Sequence, residues 1–215
     1  MSLEFDVVRT RIKICGITSY EDAITAVSAG ADALGFVFWE GSKRFVGLQQ
    51  AYEICMRLPP FVSFVGLTVN AETRFVEEIL DTVPIDFLQF HGDETPEQCQ
   101  QFKKPFLKAI RMRPDLDIEQ EIVRYSQANG ILLDAYRKGV PGGTGEVFDW
   151  ERIPPAYRNS IILAGGLTEN NIGAAIDCVR PYAVDVSGGV ELSPGVKSPG
   201  KIEGFTSAVT AADRN

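Results

Sequence analysis

"RIKICGIT", residues 11–18, decides the fold. Ile12 and Ile14 fall on one face of a strand, while Arg11, Lys13 and Cys15 fall on the other, because side chains alternate along a strand. In an antiparallel sheet with one wet face, that second face would look at water. A closed parallel barrel gives it a different destination. Lys13 and Cys15 then point inward, and Cys15, just before Gly16, reaches the C-terminal mouth where barrels of this kind build their sites.

The rest of the chain supports the barrel. Short apolar runs predict strands near 11–15, 33–38, 62–69, 86–91, 106–111, 130–135, 160–164 and 183–187. Helical patterns lie between and after them, near 20–29, 47–58, 71–82, 95–103, 117–128, 149–153, 169–178 and 199–212. Spacers of helix length with no hairpin signal between strands imply parallel pairing through right-handed crossovers. Helix starts carry caps: Thr18-Ser19, Asn70, Thr95-Pro96 and Asp149. An open doubly wound sheet is the competitor. Its GxGxxG turn is missing after the first strand, where "CGITSYED" stands. The expected architecture is α/β, a single (β/α)8 TIM barrel spanning 1–215, with 1–9 as an N-terminal extension.

Composition narrows the function. Hydrophobic residues make up 45% of 215, which suits a folded core, and the net charge is -8 with a sequence pI of about 4.8. That balance argues against a nucleic-acid or anionic-membrane partner and leaves a small-molecule substrate. Cys15, Cys55, Cys99 and Cys178 are widely spaced without a CxxC, and His91 is the single histidine, so no metal site is expected. With no secretory signal and no apolar run of about 18 residues, the reading is cytoplasmic, with free thiols.

Polar residues end several strands on one rim. Gln89 and His91 share a face of "DFLQFHG", Asp185 and Ser187 share one of "AVDVSGG", and Asp134 closes "ILLDAY". Each has a plain reading beside the functional one. Cys15 reads as a core thiol or a reactive group, Asp134 as a turn starter or an acid, His91 as a satisfied core residue or a ligand to substrate. Lys13 facing inward needs a counter-charge, and Asp185 on the neighbouring last strand supplies it. Two glycine pairs are more telling: Gly165-Gly166 after the seventh strand and Gly188-Gly189, following Ser187, after the eighth. Loops at those positions are the usual phosphate site of the fold, and glycine lets backbone amides approach an oxyanion. "KGVPGGTGEVFDW", 138–150, lacks the GK[ST] ending of a nucleotide loop and reads as a lid. Arg44 in "SKRF" is a mouth-side cation able to clamp a carboxylate, or a surface charge.

From about Arg11 to Ile202 the chain resembles the phosphoribosylanthranilate isomerases of tryptophan biosynthesis. The markers stand in order: "KICGIT", "GFVF…SKRFV", "VGLTVN", "LQFHGDE", "LLDAY", "GGTGEVFDW", "LAGGLTENNI", "AVDVSGGVE" and "SPGVKSPGKI". The resemblance implies an Amadori rearrangement of a phosphorylated aminoaldose with no cofactor or metal. It implies Cys15 as general base, Asp134 as general acid, Arg44 on the anthranilate carboxylate and the glycine pairs on the phosphate. Lys13, His91 and Asp185 join the substrate-binding set.

Two positions depart from the family's usual pattern. Gly188 stands where a second serine is common, and Ser198 where an aspartate follows the lysine of "PGVK". The rival readings are a histidine-pathway-type aminoaldose isomerase and a non-catalytic barrel binding a phosphorylated metabolite. The first resembles a paired-aspartate solution with two half-barrels, against the cysteine and single phosphate site here. The second leaves an acid and a base on opposite strands without a purpose.

Overall fold

The computed structural model describes residues 9–135 and 147–214 of the chain. Eight parallel strands close on themselves: β1 (Arg11–Cys15), β2 (Ala33–Val37), β3 (Ser63–Thr68), β4 (Phe87–Phe90), β5 (Phe106–Met112), β6 (Gly130–Ala135), β7 (Ile161–Leu163) and β8 (Ala183–Val186). Closure is made by β1, which pairs with β2 on one side and with β8 on the other. The helices are α1 (Tyr20–Ser28), α2 (Leu48–Cys55), α3 (Thr73–Thr82), α4 (Pro96–Gln100), α5 (Ile118–Arg124), α6 (Ile172–Val179) and α7 (Pro199–Ala212). The molecule is the (β/α)8 barrel expected.

Two cores explain the strand sequences. Ile12, Ile14, Leu34, Phe36, Leu88 and Leu133 point outward against the helices. Val65, Leu107, Leu132, Ile162 and Ala183 fill the barrel's interior. Strands buried on both faces read as continuous apolar runs, so the polar residues at their ends stand out. Cys15, Val37 and Leu67 form a third layer near the mouth.

Local signals set the helices. The Ser19 side chain accepts from the Asp22 amide at 3.1 Å, with Glu21 and Asp22 favourably placed in the first turn of α1. Thr95 and Gln98 close a capping box on α4. Ser198 Oγ accepts from the Lys201 amide at 3.4 Å, so the serine at this departure still caps α7.

The structure differs from expectation in three places. Asn70 caps nothing: Glu72 is the N-cap position of α3, and Asn70, at φ 48, accepts the Asp93 amide instead. The sixth helix is a 3-10 turn, Trp150–Arg152, followed by another, Pro155–Ser160. Pro154-Pro155 stops an α-helix there, because proline removes donors and restricts the residue before it. After β8 the chain makes a 3-10 turn, Gly188–Val190, then a hairpin of β9 (Glu191–Ser193) and β10 (Val196–Lys197). The Pro194-Gly195 turn signal within "ELSPGVK" marks it. Residues 1–8 of the expected extension and 138–146 of the expected lid lie outside the described residues.

Candidate active site

The parallel register puts Lys13 directly beside Asp185 across the β1–β8 seam. Lys13 Nζ donates to Asp185 Oδ1 at 2.8 Å, with both side chains buried. Burial opposes the ammonium charge, but Asp185 and Cys15 outweigh it and raise the pKa of Lys13. Two residues further along β1, Cys15 is 5% exposed and faces the mouth. Burial pushes its thiol up from the ordinary range. Lys13 and Lys197 pull it down, and Asp185 pushes with burial. Lys13 shares the inward face with the thiol, as expected, and its pull toward the thiolate is outweighed.

Gly35 on β2 makes room for that thiol. A Cβ there would lie 2.7 Å from Cys15 Sγ and 3.1 Å from Lys13 Nζ. Sequence reasoning assigned Gly35 nothing, although a glycine inside an apolar strand is itself a signal of close approach.

Asp134 is the penultimate residue of β6, with its side chain buried and facing the cavity. His91 Nε2 lies 3.1 Å from Asp134 Oδ2, and His91 Nδ1 lies 2.9 Å from Gln89 Nε2. With the Gln89 amide donating to Nδ1, the imidazole carries its proton on Nε2 and donates to Asp134. His91 is thus buried and satisfied, and it also lines the cavity. Gly165, at φ 85, permits the next loop to close here: a Cβ would sit 2.4 Å from the Ala135 nitrogen and 3.0 Å from Asp134 Oδ1.

One cavity of ≈ 210 Å³ gathers most of the expected residues. Cys15, Arg44, His91, Asp134, Asp185, Ser187, Gly165, Gly166 and Gly188 all line it. Lys13 and Gly189 are not among its lining residues. Opposite the glycines runs an apolar wall of Val37, Trp39, Leu67 and Val69, which the motif reading passed over.

Arg44 reaches the cavity, but it is not a free cation. Its Nε and Nη2 donate to Glu191 Oε1 and Oε2 at 2.8 and 2.7 Å. Among the described residues, that side-on pair leaves Nη1 without a hydrogen-bond partner. The buried Glu191 carboxylate is held below its usual range: burial opposes this, while Arg44 and Lys197 prevail. Glu191 and Lys197 were missed, since both belong to the hairpin that was not foreseen.

Among the described residues, no group of three or more His, Cys, Asp or Glu side chains is arranged to hold a metal ion. All four cysteines are free, and no described helix is long and apolar enough to cross a membrane.

The family model described as N-(5'phosphoribosyl)anthranilate (PRA) isomerase matches residues 12–208. The N-(5'-phosphoribosyl)anthranilate isomerase of Pseudomonas fluorescens is 57% identical over 199 residues, covering 93% of this chain and 95% of that protein. Its counterpart in Nitrosococcus oceani is 53% identical over 206 residues, 96% of this chain and 100% of the relative. Among solved structures, the Thermotoga maritima phosphoribosyl anthranilate isomerase superposes with a TM-score of 0.86 at 40% identity, covering 94% of this chain and 99% of that one. Another isomerase structure, in complex with reduced 1-(o-carboxyphenylamino)-1-deoxyribulose 5-phosphate, gives 0.83 at 39% identity with the same coverage.

Proposed function

The chain belongs to the N-(5'-phosphoribosyl)anthranilate isomerase family, and from that premise we propose that Cys15 is the general base and Asp134 the general acid. The enzyme converts N-(5'-phosphoribosyl)anthranilate to 1-(2-carboxyphenylamino)-1-deoxyribulose 5-phosphate, an aldose–ketose isomerisation of tryptophan biosynthesis. The observation that carries the residue roles is one cavity faced by Cys15 from β1 and Asp134 from β6.

Asp134 gives its proton to the ribose ring oxygen as the C1–O bond breaks and the anilino nitrogen becomes an iminium. That cation acidifies the C2 hydrogen. The Cys15 thiolate removes it, and the enolamine becomes the ketone as C1 gains a proton and the C2 hydroxyl gives one up, which restores the thiolate and the protonated acid. Each proton-transfer group contributes about 10²–10⁴-fold. Only the thiolate fraction of Cys15 acts, so its raised pKa makes the rate climb with pH. His91 orients Asp134.

The phosphate binds the turn amides of Gly165–Gly166 and Ser187–Gly188, with Gly189 allowing the second turn its close approach. Arg44 meets the anthranilate carboxylate through its Nη1 end, and Val37, Leu67 and Trp39 cover the ring. Lys13 and Asp185 act from behind: their ion pair sets the field at Cys15. The substrate is a small phosphorylated aminoaldose, and the four unpaired thiols favour a cytoplasmic enzyme. Complementation tests the assignment. A tryptophan auxotroph lacking this step should grow with the wild-type chain and fail with Asp134→Asn or Cys15→Ser.

A further inference from the structure

Lys197 is the most completely buried charged residue of the mouth, its side chain 0% exposed. It lies on β10, paired with Glu191 on β9 just past a shift in the register. Its ammonium donates to the Cys15 carbonyl at 2.6 Å, to the Ser187 carbonyl at 3.2 Å and to Glu191 Oε1 at 2.9 Å. Glu191 in turn holds both Nε and Nη2 of Arg44. One buried chain of charges therefore joins the end of β1, the turn after β8 and the mouth-side arginine. The hairpin that carries it is fixed from outside. Thr18 Oγ1 donates to the Gly195 carbonyl at 2.6 Å, and the Lys197 amide donates to Asp22 at 3.1 Å.

A hairpin needs no buried lysine for its own folding. An apolar side chain of similar length would avoid the desolvation cost of the ammonium. Burial does lower the pKa of Lys197, against the opposing pull of Glu191. What the charge supplies is position: it sits on the backbone of Cys15 itself. We propose that Lys197, held by Glu191, is a positioning residue that fixes the Cys15 backbone and places a second cation behind its thiol. The inference rests on Cys15 being the base.

The groups around that thiol come from several elements: Lys13 on β1, Asp185 on β8, Lys197 on β10 and Arg44 after β2, with His91 and Asp134 across the cavity. Lys13 is matched by Asp185 and Arg44 by Glu191. Lys197 shares Glu191 with Arg44, so this group of three carries one cation in excess. Removing the Lys197 charge should raise the thiol's ionisation midpoint.

The test measures Cys15 alkylation by iodoacetamide against pH, with the modified peptide quantified by mass spectrometry. Cys55 and Cys99 are pushed up to about 12 by burial, and peptide mapping separates Cys178. The plateau of the profile reports access and its midpoint reports ionisation. In Lys197→Met the midpoint should rise by about one pH unit. The acidic limb of kcat/KM should move upward with it, while Lys197→Arg keeps the wild-type limb. If Lys197→Met does not fold, Lys197→Gln reads the same midpoint, because it retains a donor for the two carbonyls without the charge. An unmoved midpoint in a folded neutral variant overturns the role of Lys197 and leaves the base assignment standing. An active Cys15→Ser removes both.

Discussion

Gly189 and Gly188 are adjacent in the sequence and should respond oppositely to a side chain. A Cβ at 189 would lie 1.9 Å from the Leu167 carbonyl oxygen and 3.0 Å from its carbon. Both atoms are backbone, so no rotamer relieves the clash. The contact has to lengthen by more than 1 Å, and only a shift of the turn after β7 or the turn after β8 provides that. These are the turns assigned to the phosphate. Overpacking of this kind costs about 1–3 kcal/mol, and about 1 Å of misplacement near a site can cost 10²-fold. At 188 a Cβ meets only side-chain atoms, Arg44 Nη2 at 3.2 Å and Glu191 Oε2 at 4.0 Å, and the backbone there is not left-handed. Steady-state kinetics, inhibition by inorganic phosphate and urea unfolding check the pair. Gly189→Ala should raise KM about tenfold or more, with weaker phosphate inhibition and a lower unfolding midpoint. Gly188→Ser should stay within about twofold of wild type. Gly173→Ala, with nothing within 4 Å of its Cβ, controls for mutation itself. Wild-type KM and stability in Gly189→Ala would refute the reasoning, as would equal damage from Gly188→Ser.

Other residues make separable predictions. Asp134→Asn keeps its shape but cannot donate the proton, so kcat should fall about 10²-fold or more, and near-normal kcat dismisses it as the acid. Arg44→Ala should mainly raise KM, since a clamp holding ground and transition states alike does not alter kcat; an unchanged KM transfers the carboxylate to another cation. Phe61 is fully exposed at φ 72. Asparagine tolerates that region better, so Phe61→Asn should stabilise the fold by about 0.5–1 kcal/mol and leave kcat alone; a lower melting temperature shows that the turn is not strained.

The barrel was legible because its signals are local and repeated. Inward Lys13 and Cys15, inward Gln89 and His91, and Asp134 at the end of β6 all follow from alternation along a strand. The two 3-10 turns before β7 were missed because Pro154-Pro155 interrupts what otherwise reads as helix. The deeper omission was Glu191 and Lys197. Their partners, Arg44 and the carbonyls of Cys15 and Ser187, come from both ends of the chain, and no periodicity reports a contact between residues 15 and 197. Arg44 shows the same limit: its position was readable, its prior engagement by Glu191 was not. The alternation puts Lys13 and Cys15 on one face, but it does not reveal how strongly burial opposes the thiolate there.

The base assignment is tested most directly by the pH dependence of kcat in Cys15→Asp. A base works deprotonated, so activity falls as pH drops through its pKa. A reference carboxylate ionises near about 3.9 and a thiol near about 8.5, and burial pushes Cys15 further up. Wild type and Cys15→Asp share the substrate phosphate, which itself titrates near about 6, so only the difference between them reports residue 15. Cys15→Asp should retain activity with its acidic limb at lower pH, and Cys15→Ser should be nearly inactive. An active Cys15→Asp that keeps the wild-type acidic limb, or a Cys15→Ser that matches wild type, would contradict the account.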